Sequence, residues 1–181
     1  MKITPTRLPD VLLIEPTVFG DDRGFFFESF NRRAFAEQTG IDADFVQDNH
    51  SRSVRNVLRG LHYQVRRPQG KLVRVTAGAV FDVVVDLRRS APTFGQTECI
   101  ELSAANRRML WVPPGFAHGF LVTDDAAEFL YKVTDYWSPQ DERTLRWDDP
   151  AHGIPWPLAG APIVSSKDAA GMRLAVAETY S

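Results

Sequence analysis

Apolar and polar residues alternate in short runs along most of this chain, and Gly, Pro, Asp and Asn punctuate the runs. That pattern predicts short strands separated by turns. Candidate strands cover 11–18, 25–30, 44–49, 56–65, 71–76, 79–88, 97–102, 109–113, 118–123 and 127–137. A short helix is predicted over 32–39, capped by Asn31 and stopped by Gly40. A second helical turn is expected to begin near Ser165 or Ser166. Many short strands with little helix predict an all-β fold: an antiparallel sandwich, jelly roll or barrel.

Period two sorts the side chains by face. Over 79–88, Phe81, Val83, Val85 and Leu87 share one face, with Asp82, Val84 and Asp86 on the other. Over 127–137, Phe129, Tyr131, Val133, Asp135 and Trp137 share a side if no bulge intervenes. Polar residues pointing into a barrel would line a cavity, and the same residues pointing outward would be solvated. The pattern alone is compatible with both.

Composition narrows the class. A chain of 181 residues fits one domain, 1–181, with a sizeable core. A net charge of −2 gives no global attraction to nucleic acid or to anionic membranes, so any anion site must be local. The single Cys99 excludes an internal disulfide framework and a cysteine-rich zinc site. The N-terminal segment lacks the apolar run of a signal peptide, and no stretch approaches the length of a membrane span. A soluble cytoplasmic protein without nucleic-acid or membrane partners is expected.

The candidate chemistry centres on Arg59-Gly60-Leu61-His62-Tyr63-Gln64 and Gln69-Gly70-Lys71. Imidazole exchanges protons near neutral pH, and an ammonium stabilises a developing anion. Together they suggest proton abstraction beside a carbonyl, with the enolate held by Lys71. The competing reading makes His62 a core histidine and Lys71 a solvated strand end. Residues 112–119, Val-Pro-Pro-Gly-Phe-Ala-His-Gly, resemble the second half of the cupin signature. Metal cupins carry a His-x-His pair in the first half. Here that place reads His62-Tyr63-Gln64, which leaves a poor metal site. No metal or other cofactor is expected.

The ordered set of motifs is more specific still. Asp22-Arg23-Gly24-Phe25-Phe26-Phe27-Glu28, Gln47-Asp48-Asn49-His50-Ser51, Arg59 to His62, Gln69 to Lys71, Pro113 to Phe120, Tyr131-Lys132 and Ser166-Lys167-Asp168 together resemble the dTDP-4-dehydrorhamnose 3,5-epimerase family of cupin jelly rolls. The resemblance spans nearly the whole chain. It implies a homodimer acting on a dTDP-4-keto-6-deoxyhexose, within dTDP-L-rhamnose synthesis for a lipopolysaccharide or cell-wall polysaccharide. It also implies His62 as base, Tyr131 as acid, Lys71 as enolate stabiliser and Asp168 as the hydrogen-bond acceptor that orients His62. Ser165 and Asp168 are equally spaced as a helix-capping pair.

By the same resemblance Arg23 and Arg59 meet the diphosphate, with Lys167 also near the ligand. Glu28, Gln47, Asn49 and Glu142 hydrogen-bond the ligand, in part from a neighbouring subunit. His118 contacts the sugar. Trp137 falls where the family stacks a tyrosine on thymine; an indole offers a comparable π-face, and packing in a hinge is its other reading. Asp82 is a secondary candidate for tuning His62 or Lys71, and Asp48 for the ligand or a turn. His50 and His152 receive no role, and Phe25 to Phe27 are assigned to core and subunit packing. The rival readings are an epimerase of C3 or C5 alone, a metal-dependent cupin enzyme, and a non-catalytic nucleotide-sugar binder.

Overall fold

The computed structural model describes residues 1–181. Its strands are β1 (Lys2–Pro5), β2 (Leu12–Glu15), β3 (Phe19–Asp21), β4 (Gly24–Phe26), β5 (Gln47–Val54), β6 (Leu58–Gln64), β7 (Lys71–Ala77), β8 (Ala79–Asp86), β9 (Thr97–Ser103), β10 (Met109–Val112), β11 (Phe116–Val122), β12 (Ala126–Val133) and β13 (Glu142–Thr144). Two helices, α1 (Arg32–Thr39) and α2 (Ser166–Ala169), lie at the periphery. The strands form a six-stranded sheet, β1-β2-β10-β7-β12-β5, and a five-stranded sheet, β13-β6-β11-β8-β9. Every pairing is antiparallel. The result is the expected all-β sandwich of the cupin jelly-roll kind.

The main core joins the inner faces of both sheets: Val73, Val75, Leu110, Val112 and Phe129 from one, Val80, Val84, Leu102, Phe116, Phe120 and Val122 from the other. Phe120 and Phe129 stack at 4.3 Å across the sandwich. Each fully buried side chain of this size contributes roughly 1.5–3 kcal/mol. A second cluster covers the outer face of the five-stranded sheet, where Leu61, Val83, Val85 and Leu87 lie under Leu145, Leu174 and Ala177. Strand β8 is therefore buried on both faces, and Asp82 and Asp86 point between the sheets with no exposure. Asp86 is neutralised by Arg88 and accepts a hydrogen bond from Thr93.

Helix α1 matches its predicted bounds because both ends are capped. Asn31 accepts from the Ala34 amide at 3.1 Å, and Gly40 closes the last turn at φ 74°. Its buried Phe35 packs edge-on against Trp111 on the outer face of the six-stranded sheet.

Several boundaries differ from expectation. Strand β12 stops at Val133 rather than 137, because its partners begin there: Val133 pairs with Lys71 of β7 and Gln47 of β5. Strand β5 extends to Val54, well past the predicted 49. Phe25 and Phe26, assigned to packing, are 60% and 66% exposed on the β3–β4 hairpin, so neither belongs to the core of this chain.

Candidate active site

The two sheets open at one end into a cleft of about 380 Å³. Strand β5 contributes Gln47, Asn49 and Ser51 by simple alternation, and β12 contributes Phe129 and Tyr131. Lys71 enters from the start of β7. From the opposite sheet come Arg59, His62 and Gln64 of β6, His118 and Phe120 of β11, and Glu142 of β13. Trp137 and Lys167 stand at the cleft from outside the sheets. Ten of the predicted contacts thus converge: Gln47, Asn49, Arg59, His62, Lys71, His118, Tyr131, Trp137, Glu142 and Lys167.

Arg59 and His62 differ in parity, so a regular strand would send them to opposite faces. A β-bulge resolves this. His62 pairs with His118, yet Arg59 pairs with Phe120, which inserts one extra residue into β6. Bulges re-aim side chains in this way. Gly60 sits at the irregularity with φ 111°, and a Cβ there would lie 2.7 Å from the Gly119 Cα. Only glycine fits both the conformation and the close approach of β6 to β11.

Two histidine–carboxylate pairs stand side by side on the five-stranded sheet. His62 Nε2 donates to Asp168 Oδ1 at 2.5 Å. Asp168 is buried, while His62 keeps 26% of its side chain exposed to the cleft. Burial lowers the His62 pKa, and the Asp168 carboxylate works against that shift. The imidazole is therefore neutral at neutral pH, and its Nδ1 is left without a protein hydrogen bond. Burial tends to raise Asp168, but hydrogen bonds from His62 and Ser165 outweigh it and hold the group ionised. Both sequence readings of Asp168 are satisfied at once. Its backbone N–H donates to the Ser165 cap at 3.1 Å, and its carboxylate orients His62.

The second pair is His118 Nε2 with Asp82, at 3.0 Å to both carboxylate oxygens. Asp82 thus partners His118 rather than His62. Burial raises its pKa, and His118 and Lys71 oppose the rise. Lys71 is buried, and its Nζ donates to the His62 carbonyl at 3.2 Å. Burial pushes its pKa down to about 8, with Glu142 and Asp82 acting in the opposite sense. It remains a cation at neutral pH, held where an oxyanion would meet it. Burial and the nearby Glu142 carboxylate raise Tyr131, so its phenol keeps its proton. Lys167 pairs with Glu142 at 3.0 Å, and Arg59 donates to Ser53 Oγ at 2.9 Å.

Three predicted contacts are not brought to this cleft. Arg23 lies at the tip of the β3–β4 hairpin, paired with Asp21. Glu28 follows that hairpin and accepts from Asn31 at 3.2 Å. Asp48 faces away on β5, bonded to Lys132 rather than serving a turn. Conversely Ser51, Gln64, Gln69, Phe120 and Phe129 line the cleft and were missed. Extending the Gln47-x-Asn49 alternation reaches Ser51, and the same period from His62 reaches Gln64; Gln69, outside the strands, carries no such signal. No cluster of three or more His, Cys, Asp or Glu side chains is arranged to hold a metal ion, and no helix is long and apolar enough to cross a membrane.

The arrangement provides a neutral base on one sheet, a protonated phenol on the other and a buried cation between them. That is the equipment for moving protons beside a carbonyl. Known proteins point the same way. Residues 5–176 match the sequence profile of dTDP-4-dehydrorhamnose 3,5-epimerase. The chain is 61% identical to the Pseudomonas aeruginosa protein of that name, covering 99% of each. It is 56% identical to the Salmonella typhimurium one, over 94% of this chain and 93% of that one. The Legionella pneumophila dTDP-6-deoxy-D-glucose-3,5-epimerase, solved in complex with dTDP-4-keto-L-rhamnose, superposes with a TM-score of 0.96 at 49% identity, covering 98% of this chain and 94% of that one. The chain belongs to the dTDP-4-dehydrorhamnose 3,5-epimerase family.

Proposed function

We propose that this chain, acting as one domain over 1–181, converts dTDP-4-dehydro-6-deoxy-D-glucose to dTDP-4-dehydro-L-rhamnose by acid–base chemistry without a metal. The ketone at C4 acidifies the hydrogens on C3 and C5. His62 Nδ1 removes one of them, and the electron pair moves onto O4 as an enolate. The Lys71 ammonium stabilises that charge. The Tyr131 hydroxyl then delivers its proton to the opposite face of the same carbon, which inverts it. His62 loses its proton and the tyrosinate regains one before the second carbon reacts. Asp168 keeps Nε2–H occupied, so that Nδ1 is the basic nitrogen.

The observation that carries this reading is the entry of His62 and Tyr131 into one cleft from opposite sheets, with Lys71 beside them. Inversion needs donor and acceptor on opposite faces of the sugar ring. Incubation with the 4-keto sugar should give the L-rhamno epimer by NMR. Recovery of unchanged substrate would contradict the assignment.

Trp137, a residue 56% exposed at the cleft, is the proposed thymine platform. Trp137→Ala should weaken dTDP binding by roughly 1–3 kcal/mol, the value of one stacked base, while Trp137→Tyr keeps most of the affinity. Calorimetric titration with dTDP checks this, and equal affinity in both variants would make Trp137 a packing residue.

The working form is a cytoplasmic homodimer. Support comes from the β3–β4 hairpin, whose Phe19, Phe25 and Phe26 are all exposed. Exposed aromatics gathered on one hairpin are characteristic of a contact surface. A partner's hairpin would bring Arg23 and Glu28 to a cleft they do not reach within their own chain. Arg23→Ala should therefore raise the Kd for dTDP by about tenfold or more, the scale of one hydrogen bond to a charged group. A monomer by light scattering, or an unchanged Kd, would contradict this.

A further inference from the structure

Residues 134–138 leave strand β12 and carry Trp137 to the cleft, yet little packing holds them there. Tyr136 and Trp137 are both 56% exposed. Its ends are tied by the Thr134–Gly70 hydrogen bonds, the Arg67–Asp135 ion pair and the Ser138–Asp141 turn, and between them the main chain is held by hydrogen bonds from three glutamines. Gln47 Oε1 accepts from the Trp137 amide at 3.2 Å, and Gln69 Nε2 donates to the Asp135 carbonyl at 2.7 Å. Gln64 makes the most complete attachment. Its Oε1 accepts from the Ser138 amide at 2.8 Å, and its Nε2 donates to the carbonyls of Arg67 at 2.7 Å and Tyr136 at 3.3 Å. One side-chain amide thus grips the residues immediately before and after Trp137.

Gln64 is itself held from behind. It is 3% exposed, and its own carbonyl accepts from the Tyr180 hydroxyl at 2.5 Å. Tyr180 is anchored in turn, since its amide donates to Leu87 and its carbonyl accepts from Arg89. Gln64 therefore connects a packed C-terminal segment to an exposed one at the mouth of the cleft. A buried amide with acceptor and both donor contacts satisfied has a single favourable orientation.

We propose that Gln64, at the place where a metal cupin carries its second histidine, is the positioning residue of the nucleotide end of the site: its side chain brackets Trp137 and fixes the indole as a platform for the base. This rests on the reading that Trp137 stacks on dTDP.

The test is a double-mutant cycle read by calorimetric titration with dTDP. Gln64→Met keeps the length of the side chain and removes all three hydrogen bonds. Gln64→Glu keeps the acceptor for Ser138 and sets oxygen against two carbonyls. Each should weaken dTDP binding by roughly tenfold and raise KM for the 4-keto sugar, with kcat within a few-fold of wild type. In a Trp137→Ala background the same changes should cost much less than tenfold, because the platform they position is gone. Unchanged affinity in both variants would overturn the proposal. So would full multiplication with Trp137→Ala, which would mean that Gln64 touches the ligand independently. If neither variant folds, hydrogen exchange on the wild type decides: a strongly protected Ser138 amide is expected, and exchange at the rate of an open loop would overturn the proposal. Failure of the wild-type protein to bind dTDP would instead sink the functional reading beneath it.

Discussion

His62→Ala should lower kcat by at least two to four orders of magnitude, the usual contribution of a positioned general base, and leave dTDP affinity nearly unchanged. The reasoning is local. Nδ1 is the only nitrogen of His62 left unpaired, because Nε2–H is committed to Asp168 at 2.5 Å. Lys71 already donates to the His62 carbonyl and cannot take over as base while its ammonium is charged. The second imidazole, His118, is tied to Asp82 and buried. No neighbour is free to replace the lost base. The nucleotide is expected to lie toward Trp137, away from this end of the cleft, which is why binding should survive. Steady-state kinetics together with dTDP titration checks the split. Turnover within a few-fold of wild type would remove His62 from the mechanism. A collapse of thermal stability would favour a packing role.

Tyr131→Phe should separate proton exchange from inversion. The substitution keeps the ring against Phe129 and removes only the hydroxyl. His62 would still form the enolate, but it can return a proton only to the face from which it came. In D₂O at least one carbon should therefore exchange hydrogen for deuterium faster than it inverts. The size of the loss in inversion should again be on the order of 10²–10⁴-fold. Proton NMR of the recovered sugar reads exchange and configuration at once. Normal inversion by Tyr131→Phe would assign the acid to water or another group, leaving Tyr131 as a wall of the cleft.

Much of this architecture is legible in the chain. Strands β7 to β11 follow apolar or alternating runs and fall close to their predicted bounds. Helix α1 follows from its caps. Strand β5 extends past its predicted end for a physical reason: its sequence, Gln-Asp-Asn-His-Ser-Arg-Ser-Val, is polar on both faces up to Ser53, since one face lines the cleft and the other meets solvent. Hydrophobic patterning is blind to such a strand. Strands β1 and β13, with four and three residues, are too short to show a period. His62 and Lys71 are recognisable because imidazole and ammonium announce their chemistry by type, whereas Tyr131 is reached only through the family resemblance. Gln64 and Gln69 are not recognisable by type, because their work consists of hydrogen bonds to the main chain of a distant segment, which only the fold brings near. The bulge at Gly60 belongs to the same class: the motif names Arg59 and His62 together, but period two cannot put both in one cleft.

The placements of Arg23 and Glu28 extend the point. Sequence resemblance names a residue as a ligand contact without saying which copy of the chain it serves. The exposed hairpin is where the two descriptions meet under the proposed homodimer, in which a partner's hairpin tip would reach the cleft.

The most direct test of the central claim is incubation of the wild-type protein with dTDP-4-keto-6-deoxyglucose in D₂O, followed by NMR of the product. Proton removal and return through two successive enolates predicts deuterium at both C3 and C5, with both centres inverted. Label at one carbon alone would make the protein a mono-epimerase, and inversion without any label from solvent would contradict the mechanism.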